Sequence, residues 1–206
     1  MGLTVILVSG RTHAALAPFV EALGEIDGVV GENGAVVEAP RGRRPVRFGA
    51  GTAAAVRRRL RAAPDLAVEF GRVVASVRRA ERARLARLVD GLPVILIDNV
   101  DRVMVLPVGI SKATGVRIAL ARMGLGGGRF AAIGDGENDV PMLREAEVSG
   151  AVANATAAAR AAAHYLCRAP SARGVAEFVR GPLADRWRAD RGDGRVAPRP
   201  REPRRR

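Results

Sequence analysis

The sequence predicts an α/β protein: a doubly wound parallel sheet with a smaller α+β cap domain inserted into it. Three observations carry this. Short apolar runs at Thr4–Val8, Phe130–Ile133 and Val148–Val152 alternate with helical segments, the pattern of strand–helix–strand units. Between 38 and 106 the texture changes, with a Pro-, Gly- and Arg-rich entry followed by a mixed α/β block. After Pro107 the strand–helix alternation resumes. The expected division is a core of 1–37 and 107–182, an insertion of 38–106, and a basic tail of 183–206 that has too little to bury to be ordered.

Each element has its own signal. Thr4–Val8 is continuously apolar, which predicts a strand buried on both faces. Ser9-Gly10-Arg11-Thr12 turns into a helix running to Leu23, and Val29-Val30 and Ala35–Val37 flank the turn Gly31-Glu32-Asn33-Gly34. Thr52–Ala63 reads as a basic amphipathic helix capped by Thr52. Leu66–Val77 reads as one or two strands, Glu81–Val89 as a second basic helix, and Val94–Ile97 with Val103–Leu106 as a strand pair. Ser111–Met123 is a helix ended by Gly124. Val140–Ala146 is a helix with Pro141 in its first turn. Ala155–Leu166 is an Ala-rich helix capped by Asn154, and Gly174–Val179 is a last short helix.

Composition narrows the function classes. Apolar residues make up 48% of the 206-residue chain and aromatics 3%, so a packed core built from aliphatic side chains is expected. No run approaches the roughly 18 apolar residues that span a membrane. The single Cys167 has no CxxC partner for zinc, and a reducing cytoplasm is the expected location. The net charge is +13, but Arg186–Arg206 holds nine Arg against Asp190, Asp193 and Glu202. Much of the charge is therefore local to the tail, a solvated basic segment with Trp187 as its only base-stacking candidate. Nucleic acid and membrane are not the expected partners.

The chemistry concentrates in three places. Ile133-Gly134-Asp135-Gly136-Glu137-Asn138-Asp139 follows an apolar strand and opens a helix. Carboxylates on a glycine-flexible loop at the carboxyl end of a strand suit a hard cation such as magnesium. Asp135 is the expected ligand, Asp139 a second ligand, a support or the helix N-cap, and Asn138 orients the loop; Glu137 is expected in solvent. Lys112 is the only lysine among 34 basic residues. It sits in the first turn of its helix, where a cation opposes the macrodipole unless both face an anion such as a phosphoryl group. Ser9-Gly10-Arg11 lies at another strand end, where a hydroxyl and backbone N–H groups can hold phosphoryl oxygens, or where Ser9 simply caps the turn. His13 and His164 have no partner in sequence, and Asp98 and Asp101 suit a turn.

Taken together these motifs resemble the haloacid dehalogenase superfamily, in its Cof-type, phosphoglycolate phosphatase-like branch. Val5–Arg11 resembles the family's second motif, and Gly31–Ala35 the turn leading into the cap. Gly109–Lys112 with Gly115 resembles the third motif, whose lysine holds the phosphoryl group. Gly134–Asp139 with Pro141-Met142-Leu143 matches the fourth, and Val152–Ala155 resembles the segment after the next strand. The resemblance implies a Rossmann-like core with an inserted cap and Mg2+-dependent hydrolysis of a small phosphorylated metabolite. Lys112 and Ser9 would be the catalytic groups, with Gly10, Arg11 and Asn138 also binding substrate and Asp135 and Asp139 holding the metal.

The family's first motif, Asp-x-Asp-Gly-Thr with the nucleophile, does not occur; no Asp precedes Asp27. One reading is that Met1 is an internal methionine, with about 30–40 residues, one strand and one helix, ahead of it. Another is a binding or regulatory module without activity, and a third a basic nucleic-acid-associated protein using the tail and Arg57–Arg61 and Arg78–Arg87. A sheet without that strand is expected to present a new edge.

Overall fold

The computed structural model describes residues 3–99 and 101–190. Contacts divide the chain into two units, Met1–Gly128 and Arg129–Arg206.

In the first unit, β1 (Ile6–Val8) leads through Ser9–Arg11 into α1 (His13–Leu23), whose N-cap Thr12 accepts the N–H of Ala15. β2 (Gly28–Gly31) runs parallel to β1, with Val29 opposite Leu7. The turn Glu32–Gly34 then reverses the chain into β3 (Val36–Glu38), and β4 (Val46–Arg47) adds to β3; both pairings are antiparallel. Only β1–β2 is therefore parallel in this sheet. A three-residue turn is far too short for the crossover that a parallel strand needs, so β3 returns antiparallel beside β2.

β1 also departs from its expected double burial. It is an edge strand in the order β1-β2-β3-β4. Ile6, Leu7 and Val8 are half-buried, and Val5 is 44% exposed. The open edge anticipated from the sequence is thus present at β1.

α2 (Ala50–Arg61) begins after Gly49, which has left-handed backbone and makes no side-chain cap. Thr52 lies inside the first turn and is not the cap. Ala53, Val56 and Leu60 recur on the buried face at helical spacing. β5 (Glu69–Phe70), β6 (Ala75–Arg78), β7 (Val94–Asn99) and β8 (Arg102–Pro107) form an antiparallel sheet in the order β5-β6-β8-β7, with α3 (Arg82–Leu88) between β6 and β7 in sequence. Val77 faces Val103 and Leu96 faces Val105 across the ladder. Val56, Leu60, Leu85, Val77, Val103 and Val105 meet in one core. Each such burial contributes about 1.5–3 kcal/mol. Asp98 lies within β7 rather than in a turn, with Arg82 at 3.3 Å and Arg79 at 3.8 Å.

Several arginines of the basic helices are committed internally. Arg57 donates to the Gly71 carbonyl at 2.8 Å and stacks 4.6 Å from the Phe70 ring. Arg59 donates to the carbonyls of Leu88 and Asp90, and Arg84 pairs with Asp65 at 2.6 Å. α4 (Lys112–Arg122) closes the unit, ended by Gly124 at φ 75°.

The second unit holds a parallel sheet in the order β11-β10-β9. β9 (Ala131–Gly134) runs into the acidic loop and α5 (Val140–Glu145), with Pro141 in the first turn as expected. β10 (Val148–Ala151) is followed by α6 (Ala157–Ala162) and β11 (Tyr165–Leu166). The helix expected over Ala155–Leu166 is therefore half its predicted length. Its cap is Thr156, which accepts the N–H of Ala159, and Asn154 instead accepts the N–H of Ser171 at 2.9 Å. Tertiary pairing of Tyr165 with Gly150 and Leu166 with Ala151 overrides alanine's helix propensity there. α7 (Ser171–Phe178) passes through a wider π-type turn at Val179–Leu183 into α8 (Ala184–Asp190). This helix corrects the expectation of disorder from residue 183. Arg186 pairs with Glu147, and Ala184 is buried, so α8 has something to hold it. The rest of the predicted tail, 191–206, lies outside the described residues. Among the described residues no helix is long and apolar enough to cross a membrane.

Candidate functional site

The predicted residues fall into two groups, one in each unit. In the first unit, Ser9, Gly10 and Arg11 follow β1 at the carboxyl end of the strand. Ser9 donates its N–H to the Val30 carbonyl at 2.8 Å, and its hydroxyl accepts the N–H of Arg11 at 3.2 Å. Ser9 thus caps its own turn. Gly10 is buried, and the Arg11 guanidinium lies 5.0 Å from the ring of Phe19 on α1.

Lys112 opens α4 and is only 6% exposed. The preceding Ser111 forms a capping box: its hydroxyl accepts the N–H of Thr114 at 3.2 Å, and Thr114 Oγ1 accepts the N–H of Ser111 at 2.9 Å. Two otherwise orphaned donors at this helix end are satisfied by this exchange. A buried ammonium is held here against the helix dipole, a placement that favours an anion nearby.

The turn Glu32–Gly34 joins these pieces. Glu32 donates its N–H to Arg11 O at 2.9 Å, and Asn33 donates its N–H to Ser9 O at 3.1 Å. Gly34, at φ +103°, packs so closely on the first turn of α4 that a Cβ there would lie 2.0 Å from the Ser111 carbonyl oxygen. Glu32 and Asn33 are both buried at positive φ, backbone that non-glycine residues adopt only when their surroundings demand it. The Asn33 amide reaches Met104 Sδ at 3.3 Å. By its sequence this turn is only an entry to the inserted segment. A glutamate between Gly31 and Asn33 was the available signal of a larger role.

In the second unit, the loop after β9 is organised by Asp139. Its Oδ2 accepts the N–H of Asp135 at 3.0 Å and of Gly136 at 2.9 Å. The carboxylate reaches back to the strand end and makes no side-chain cap on α5. Asp139 is 4% exposed, whereas Asp135 and Glu137 are exposed. The Asp135 carbonyl accepts the N–H of Thr156 at 2.8 Å, which ties the loop to the start of α6. Asn138 is half-buried on the same loop.

Among the described residues no cluster of three or more His, Cys, Asp or Glu side chains gathers to hold a metal. The donor set at Asp135 fits magnesium rather than zinc. Magnesium takes one or two carboxylates and keeps its waters; Asp135 offers an exposed carboxylate on a loop made rigid by Asp139. The two histidines have neighbours of their own. His13 Nε2 is 2.8 Å from Glu38 Oε2, and His164 Nδ1 is 2.9 Å from Ser149 Oγ.

A mixed α/β protein with these loops at the ends of parallel strands has known counterparts. Residues 86–179 match the model of the haloacid dehalogenase-like hydrolases. A phosphoglycolate phosphatase of Methanoculleus marisnigri is 30% identical over 195 residues, covering 87% of this chain and 82% of that protein. One from Aeropyrum pernix is 47% identical over 77 residues, 37% of this chain and 32% of that protein, so this match spans about a third of the relative. A solved structure from Thermoplasma acidophilum superimposes with a TM-score of 0.70 at 19% identity, over 87% of this chain and 82% of that one. The chain belongs to the haloacid dehalogenase-like hydrolase family.

Proposed function

We propose that this chain carries the phosphate-gripping and metal-holding parts of a magnesium-dependent phosphatase of small phosphate monoesters, phosphoglycolate or a sugar phosphate by resemblance. The observation that carries the reading is Lys112, the sequence's only lysine, buried at the first turn of α4. In this role Lys112 neutralises a phosphoryl oxygen, with Ser9, Gly10 and Arg11 as the adjacent binding loop. Asp135 holds the metal, Asp139 fixes the loop that presents it, and Asn138 orients it. Bound magnesium supplies charge neutralisation on the transferring group. The inserted segment 38–106 serves as the cap that sets substrate choice. The partner is a small phosphorylated metabolite, met in the cytoplasm.

The 206 residues contain no Asp-x-Asp-Gly. The covalent step of the family mechanism, attack of an aspartate on phosphorus, therefore has no nucleophile in this polypeptide, which binds without turnover. Thermal unfolding with magnesium and inorganic phosphate tests the reading, since a ligand bound by the folded state raises Tm. A rise in Tm with phosphate, together with no phosphate release from phosphoglycolate, is expected. No rise would contradict the binding role, and release abolished by Asp135→Ala would contradict the absence of turnover.

A further inference from the structure

Positive charge is concentrated in the inserted segment and not spread over the molecule. Ala50–Asp90 holds ten Arg against Asp65, Glu69, Glu81 and Asp90, a net +6, whereas 1–49 and 91–185 together hold fifteen Lys and Arg against fourteen Asp and Glu. An arginine-rich composition alone would load every segment alike. α2 and α3 lie side by side on one face of the β5-β6-β8-β7 sheet: Val56 and Leu60 of α2 and Leu85 of α3 enter the same core. Two arginines stitch the helices together. Arg59 of α2 donates to the Leu88 carbonyl at 3.3 Å and to that of Asp90, and Arg84 of α3 pairs at 2.6 Å with Asp65, just beyond α2. These two, with Arg57 on Gly71 and Phe70 and with Arg79 and Arg82 on Asp98, are engaged internally.

Arg58 and Arg61 of α2 and Arg87 of α3 are different. All three are exposed and make no hydrogen bond or ion pair among the described residues. Arg58 and Arg61 are three apart on one helix, so they are surface neighbours. Arg58 adjoins Arg59, and Arg87 adjoins Leu88, the two residues in contact between the helices, which brings the three arginines onto one outward surface. Such a surface complements a repeating array of phosphates. None of the exposed large apolar residues lies between 50 and 90, so the surface has nothing to insert into a lipid bilayer. Its only aromatic residue, Phe70, is stacked under Arg57, so it offers no platform for unstacked bases. We propose that the outward side of α2 and α3 is a docking surface for the phosphate backbone of double-stranded nucleic acid, bound without regard to sequence. Phosphate contacts position a protein on a duplex and read no bases; 50–90 contains no Asn or Gln to read them. The expectation against a nucleic-acid partner rested on charge assigned to the tail, and this patch lies outside the tail.

The test is the binding of the 206-residue protein to a short labelled duplex of arbitrary sequence, followed by anisotropy as salt is raised from about 50 to 200 mM. Wild type is compared with the triple variant Arg58→Gln/Arg61→Gln/Arg87→Gln and with a control, Arg43→Gln/Arg44→Gln/Arg173→Gln, that removes three exposed and equally unpartnered arginines elsewhere among the described residues. The helix triple should lose at least about tenfold in affinity at the lower salt, and its slope of log K against log salt should be shallower by about two to three, roughly 0.9 per lost contact. Each single variant should flatten the slope by about one. The control should keep the wild-type slope. Thermal unfolding of all variants should match wild type, because none of these arginines has a partner to lose. An equal loss in the control would reduce the effect to net charge and overturn the proposal. Full affinity in the helix triple would assign the binding to another part of the chain and overturn it too. So would failure of the wild type to bind at the lower salt, or tighter binding to a single-stranded oligonucleotide or to phosphatidylserine vesicles than to the duplex.

Discussion

Asp139 and Asp135 are joined carboxylate to backbone, not acid to acid: Asp139 Oδ2 accepts the N–H of Asp135 at 3.0 Å. The two carboxylates of one short loop therefore have different work, one inward and one outward. Removing Asp139 leaves two part-buried N–H groups without an acceptor, at about 1–2 kcal/mol each. Asp139→Ala should lower stability in urea unfolding by about 2–4 kcal/mol. Asp135→Ala, at an exposed position, should change stability by no more than about 0.5 kcal/mol yet abolish magnesium binding. Equal destabilisation by both would refute this division of roles.

Gly34→Ala is predicted to be among the most damaging single substitutions. It forces a Cβ to within 2.0 Å of Ser111 O and places alanine at φ +103°. A loss of about 3 kcal/mol or more follows, read by thermal unfolding. A fully stable variant would mean that the turn does not press on α4 as described.

The second unit has a built-in acid limb. Backbone N–H groups of Arg168 and Ala169, and then the Tyr165 hydroxyl, hold the Glu177 carboxyl below its ordinary value. A group whose pKa is lowered on folding contributes stability above its unfolded pKa. That contribution is lost as pH falls through the folded value. Glu177→Gln should therefore flatten the decline of Tm at acid pH; an unchanged acid limb would rule Glu177 out as its cause.

Cys167 is 4% exposed, and burial pushes its thiol up from the ordinary value. Only the thiolate is nucleophilic, so iodoacetamide at neutral pH should label the native protein far more slowly than the urea-unfolded one. Comparable rates would place Cys167 at the surface.

Much of this was legible in the chain itself. Short apolar runs, helical spacing, caps and turn residues locate most elements, and the order strand, acidic loop, helix singles out Asp135 and Asp139 without a structure. Three failures share one cause, tertiary context overriding local signal. Apolar Thr4–Val8 reads as a buried strand, but its edge position leaves it half-covered. Alanine-rich 155–166 reads as one helix, but Tyr165 and Leu166 are taken by the sheet. Arg186 reads as tail, but Glu147 holds it. Glu32 escaped because its partners are backbone groups 40 to 42 residues away, which no side-chain pattern announces.

The most direct test of the account is a titration of inorganic phosphate into the 206-residue protein, in magnesium, beside Lys112→Met. Measurable binding is expected in the wild type, weakened at least about tenfold when the buried lysine is replaced by an apolar chain of similar length. Equal affinity in the two proteins, or no binding to the wild type, would contradict it.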